Sequence, residues 1–134
     1  MKVQLYIDGA SRGNPGLGGA GAYMADEDGN EILRLTKYLG TVTNNMAEYA
    51  ALLLGLKEAK KRKFKEILIF SDSELLVRQV QGVYQVKNAV LKKNHEEVMN
   101  ILRNFNYKIS HVRREKNKIA DQLANEAIDQ ALEK

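Results

Sequence analysis

Cysteine and tryptophan are absent from this 134-residue chain and proline occurs once. Without cysteine there is no disulfide framework and no thiolate metal site, and a reducing compartment is the natural setting. No apolar run approaches the roughly 20 residues that a membrane span requires. The first residues, Met1 to Leu5, enter an alternating strand pattern at once, so a soluble, cytoplasmic protein is expected. The GxGxxG and GxxxxGK[ST] spacings are missing from the glycine-rich stretch, which argues against a nucleotide-cofactor loop. Repeats, low-complexity tails and linkers are lacking too, so residues 1–134 read as a single domain, long enough to bury a core without staples. Charge of one sign is scarce: the net +4, in a chain with 28% charged residues, is a slight lean towards polyanionic partners. Nothing sets an oligomeric state, and a monomer is the default.

What is present centres on Ile67-Leu68-Ile69-Phe70-Ser71-Asp72-Ser73, an apolar run that stops at a carboxylate. Four large apolar residues in succession predict a strand buried on both faces. Asp72 at its end has two readings. It caps the next helix with Ser73, or it faces the crevice beyond the strand ends where α/β proteins bind ligands.

Upstream, Val3, Leu5 and Ile7 alternate with Gln4, Tyr6 and Asp8, a strand with Asp8 on the face opposite the aliphatic residues. Gly9 to Gly19 holds five of the ten glycines and the proline, and predicts a turn segment. Residues 20–25 and 31–39 predict an antiparallel pair joined at Asp28-Gly29. Thr41 to Asn45 stack capping residues before a helix from Met46 to about Lys63, whose basic C-terminal half suits its dipole. Glu48, in its first turn, has the spacing to close a capping box with Asn45. A short helix from Glu74 to Gln81 follows, then a second over 89–104 with Val90, Leu91, Val98, Ile101 and Leu102 as its core stripe, and a strand over 106–112. Asn117 is the expected N-cap of a last helix burying Ile119, Leu123, Ala127 and Ala131. Asp121 sits in its first turn, where a carboxylate also suits the dipole. His95 reads as a surface residue.

Three consecutive strands predict an antiparallel meander, and the two later ones, reached through helices, predict parallel neighbours of the first. The result is an α/β fold, a mixed five-stranded sheet of order 3-2-1-4-5 with strand 2 antiparallel and helices on both faces. Asp8 and Asp72 then end adjacent strands. Two neighbouring carboxylates repel, and a hard divalent cation such as Mg²⁺ is the simplest way to hold both. If Glu48 and Asp121 reach the same end, four acids could hold two ions about 3.5–4 Å apart, the arrangement for in-line displacement at phosphorus.

Four segments in order resemble the ribonuclease H type 1 family: Tyr6 to Gly16, Thr43 to Glu48, Phe70 to Ser73, and Arg114 to Asp121. The resemblance spans nearly the whole chain and implies the ribonuclease H-like fold, with Asp8, Glu48, Asp72 and Asp121 as metal-binding catalytic acids. It implies an endoribonuclease that hydrolyses the RNA strand of RNA/DNA hybrids with two Mg²⁺ ions, Mn²⁺ substituting, leaving 5′-phosphate and 3′-hydroxyl ends. It also implies that Thr43 and Asn44 hold a DNA-strand phosphate and that Asn14 and Asn45 contact the hybrid's minor groove, where the 2′-hydroxyls lie.

The chain departs from better-known bacterial members in three places. Gly82 to Asn88 replaces their basic insertion, Glu74 stands where they carry a polar amide, and their loop histidine has no clear counterpart. By resemblance to archaeal-like members Arg114 takes that loop role, in preference to the strand residue His111. A catalytically silent binding module of the same fold, and a nuclease that also cuts double-stranded RNA, are the rival readings.

Overall fold

The computed structural model describes residues 1–133 of the chain. The strands are β1 (Lys2–Gly13), β2 (Gly16–Asp26), β3 (Glu31–Val42), β4 (Glu66–Ser71) and β5 (Asn106–His111). The helices are α1 (Asn44–Lys61), α2 (Glu74–Val80), α3 (Ala89–Leu102) and α4 (Lys118–Leu132), with a 3-10 turn over Arg114–Lys116. One sheet forms in the expected order β3-β2-β1-β4-β5. β2 is antiparallel to β1 and β3, while β4 is parallel to β1 and β5.

The alternation in β1 buries Val3, Leu5 and Ile7 under α1, whose buried face carries Ala47, Ala51, Leu52, Leu56 and Ala59. Leu91, Val98 and Leu102 of α3 complete this side of the core. Val90, expected in that stripe, is instead 51% exposed, one position off the face that meets α1.

α4 lies across β1, β2 and β3 on the opposite face, burying Ala120, Leu123, Ala124, Ala127 and Ile128. Ala131, expected on that buried side, is half-exposed in the last turn. The placement of α4 also corrects the reading of β4. Ile67 and Ile69 are buried, but Leu68 and Phe70 are only half-buried. The face they share with Tyr6 and Tyr23 is covered by ring-on-ring contact, Tyr6 stacking on Phe70 with centroids 4.8 Å apart.

The glycine-rich stretch is not a loop. β1 continues to Gly13, turns over the cis Asn14-Pro15 bond, and returns as β2 from Gly16. Two of its glycines and one of β2 are demanded by helices pressed on the sheet. A Cβ on Gly9 would strike the backbone of Ala47 and Glu48 in α1, and one on Gly21 would strike the carbonyl of Ala120 in α4. A Cβ on Gly19 would likewise meet the carbonyl of Ala124. Gly21 pairs with Asp8 across β1 and β2, so its lack of a side chain lets the start of α4 settle beside that acid.

Ser73 caps α2 and Thr43 caps α1, their hydroxyls accepting from the amides of Leu76 and Met46. Asn117 occupies the N-cap position of α4 as expected, its carbonyl accepting the Asp121 amide, but its buried side chain makes no cap bond and donates from Nδ2 to the Ile7 carbonyl at 2.9 Å. The Nδ2 donor satisfies the strand carbonyl, while Oδ1, the atom that would accept from the helix amides, is buried without a protein partner. His95 is half-buried too. It bonds the Gln79 carbonyl at 3.1 Å and meets Tyr49 edge-on.

Gly21→Ala should lower folding stability by about 1–3 kcal/mol through the collision with α4. Urea unfolding measures it, with Gly29→Ala as a comparison that meets no neighbour and carries only the backbone strain of a left-handed φ of 86°.

Candidate active site

The parallel register pairs Ile7 with Ser71, so the residues that follow lie side by side, but Asp8 does not end its strand as expected: β1 runs on to Gly13 in its pairing with β2, and only Asp72 lies just past the end of β4. The close contact at Gly9 brings the first turn of α1 against this point. Glu48 accepts the Gly9 amide through Oε1 at 2.5 Å, a bond between β1 and α1, and not the capping box with Asn45. Asp8, Glu48 and Asp72 each offer a carboxylate oxygen, and these atoms lie within 4.8 Å of one another. Asp121 joins from α4, lining the same cleft close enough to Asp8 to raise its carboxyl further. Asn117 holds the start of α4 to β1 four residues before it.

The four acids differ in exposure. Asp8 and Glu48 are 6% and 8% exposed, Asp72 is half-buried and Asp121 is exposed. Burial, the largest cause, raises the Asp8 carboxyl far above its ordinary range, and the charges of Glu48 and Asp72 add to it. Glu48 is raised by burial as well, and the Gly9 amide offsets part of the shift. A cluster that resists ionisation when bare is the donor set that a hard divalent cation satisfies, through oxygen ligands and compensating charge.

The cleft around the acids, about 470 Å³, is also lined by Gly9, Ser11, Asn44, Asn45, Ser73 and Arg114. Arg114 reaches it from the 3-10 turn. His111 ends β5 as expected, bonding the Asp72 carbonyl through Nε2 at 3.3 Å, with Nδ1 4.0 Å from Glu74. A second polar hollow adjoins the cleft, lined by Asn14, Thr43, Asn44, Asn45, Met46, Asn88, Val90 and Leu91. Asn14 accepts the Asn44 amide at 3.2 Å, tying the β1–β2 turn to α1. Asn88 was not singled out in the sequence and Val90 was expected in the core, because their place beside Thr43 depends on how α3 docks.

Comparison with known proteins follows this geometry. A family model described as reverse transcriptase-like matches residues 6–127. The chain is 37% identical over 131 residues to ribonuclease HI of Halobacterium salinarum, covering 97% of this chain and 66% of that one. It is 32% identical to ribonuclease H of Coxiella burnetii, covering 98% of this chain and 93% of the relative. A crystal structure of LC11-RNase H1 in complex with an RNA/DNA hybrid superposes with a TM-score of 0.93 at 42% identity, covering 97% of this chain and 99% of that one. The Halobacterium enzyme's structure gives 0.94 at 37% identity, with 97% and 99% covered. Against three mycobacterial relatives the chain spans only 36% of their length.

Sheet order and acid cluster together define a ribonuclease H-like fold with a divalent-metal type of site. The chain belongs to the ribonuclease H type 1 family.

The raised carboxyls link protonation to folding. Their folded pKa values exceed those of the unfolded chain, so the folded protein binds more protons, and the stability this confers is full below the unfolded carboxylate range and lost as pH rises. The melting temperature of metal-free protein should therefore fall between about pH 5 and pH 8 relative to an Asp8→Asn variant. Added Mg²⁺ should restore it at the higher pH. Scanning calorimetry with and without chelator measures both, and a parent and variant with the same pH slope would contradict the assignment.

Proposed function

We propose that this chain is an endoribonuclease hydrolysing the RNA strand of RNA/DNA hybrids by a two-metal mechanism that leaves 5′-phosphate and 3′-hydroxyl ends. The observation that carries the reading is the convergence of Asp8, Glu48 and Asp72 within 4.8 Å, with Asp121 against Asp8. The LC11 relative, seen with a hybrid, supports the substrate class.

Asp8, beside Glu48 and Asp72 and close to Asp121, would hold divalent ions together with these three acids. Mg²⁺, or Mn²⁺ in its place, supplies an activated water and charge stabilisation for the leaving oxygen when bound. The chain's own contribution is positional. β1 holds Asp8 within the sheet, β4 presents Asp72 just past its end, and the Gly9 amide fixes the Glu48 carboxylate. Arg114, at the rim, presents guanidinium donors to phosphate oxygens. Thr43 and Asn44 receive a phosphate of the DNA strand in the adjoining hollow. Asn14 and Asn45, whose amides both donate and accept, read 2′-hydroxyls in the minor groove.

Double-stranded RNA, which shares the A-form minor groove, is a candidate second substrate. A silent binding module is disfavoured, since carboxylates facing a polyanion weaken binding unless cations are held there. The working form is taken as a monomeric single domain in the cytoplasm.

End-labelled RNA/DNA, RNA/RNA and DNA/DNA duplexes with Mg²⁺ test this. The hybrid should be cut, and Asp72→Asn should slow cutting by about a thousandfold, the equivalent of losing several kcal/mol of charge stabilisation. An intact hybrid, or equal cutting by the variant, would refute the proposal. Arg114→Ala should reduce kcat more than His111→Ala. The reverse ranking would assign the loop role to the histidine.

A further inference from the structure

Three acids of the cluster are held by the sheet, by burial or by a backbone amide. Asp121 alone is exposed on a helix face, and its carboxylate has a partner of its own. Asn125, one turn further along α4, donates from Nδ2 to the Asp121 carboxylate Oδ1 at 3.4 Å and to its backbone carbonyl at 3.1 Å. The Asn125 amide is engaged on its other side by a residue from the far end of β1. Arg12 donates through Nη2 to Asn125 Oδ1 at 3.3 Å and to the Asn125 carbonyl at 3.5 Å. Its Nη1 pairs with Asp129 at 2.7 Å. Asp121, Asn125 and Asp129 follow at intervals of four on α4, so they share the helix face that Arg12 crosses.

The polarity of this chain matters. An asparagine amide turned by half a circle exchanges its oxygen and nitrogen, and would then point a partial negative charge at Asp121. A guanidinium has only donors, so Arg12 is satisfied by the oxygen alone and leaves the NH₂ facing the acid. Asp129, in turn, holds the guanidinium at its post.

We propose that Arg12 and Asn125 are positioning residues for Asp121: Arg12 fixes the amide of Asn125 so that it donates to the carboxylate, which holds that carboxylate towards Asp8 for metal binding. The proposal rests on the metal-site reading above. Outer partners that orient a ligating carboxylate set metal affinity more than substrate affinity. Arg12 and Asn125 are separated by 113 residues and meet only through the packing of α4 on the β1–β2 hairpin.

Asn125→Ala, Arg12→Ala and the double variant test it by two readouts: the Mg²⁺ concentration giving half-maximal hybrid cleavage, and the rise in melting temperature that Mn²⁺ produces without substrate. Asn125→Ala should raise the half-maximal Mg²⁺ concentration about threefold to tenfold, leave KM for the hybrid within about twofold, and shrink the Mn²⁺-induced rise. Arg12→Ala should do the same more weakly, and the double variant should be no worse than Asn125→Ala, because Arg12 acts through that amide. Unchanged metal dependence in both readouts, an altered KM alone, or additive effects would overturn the relay. A parent protein that binds Mn²⁺ but cuts no hybrid would refute the functional reading instead, while the thermal readout still decides the relay.

Discussion

The acid cluster depends on helices pressing closely on β1 and on its neighbour β2. At Gly9 the backbone of α1 lies where a side chain would be, and at Gly21 the backbone of α4 does. The first contact delivers Glu48, and the second sets Asp121 beside Asp8, the residue paired with Gly21. Parallel pairing of β1 with β4 adds Asp72. Three independent backbone relations thus converge on one point, and each is stabilised by apolar burial elsewhere in the element concerned.

That convergence has an electrostatic cost. Buried carboxylates in company hold their protons, which is the opposite of what a metal ligand must do. The fold tolerates the conflict because the cluster sits where β4 stops beside a continuing β1, with a core of Val3, Leu5, Ile7, Ile67 and Ile69 in the same two strands. Local instability at the strand ends is offset by that core. Under the proposed function, the short Gly82 to Asn88 link in place of a basic insertion would leave phosphate contacts to the polar hollow and to Arg114.

Sheet order and the pairing of Asp8 with Asp72 were legible in the sequence, since the alternation of strands and helices restricts topology severely, whereas Glu48 and Asp121 entered through the resemblance to the ribonuclease H type 1 family. What was not legible depends on tertiary placement. The run Ile67 to Phe70 looks buried on both faces because apolar residues do not say which helix covers them, and α4 lies over β1, β2 and β3. Gly9 to Gly19 looks like a loop because glycines carry no side-chain period, although they serve strands under helices. Asn117 has a cap's identity and another use, its amide drawn to the Ile7 carbonyl. The Arg12–Asn125 contact leaves no local trace at all.

Anomalous scattering from Mn²⁺ in crystals of the protein with an RNA/DNA hybrid tests the central claim most directly. The account predicts one ion among Asp8, Glu48 and Asp72 and a second shared by Asp8 and Asp121. Ordered Mn²⁺ held elsewhere, with these carboxylates unligated, would contradict it.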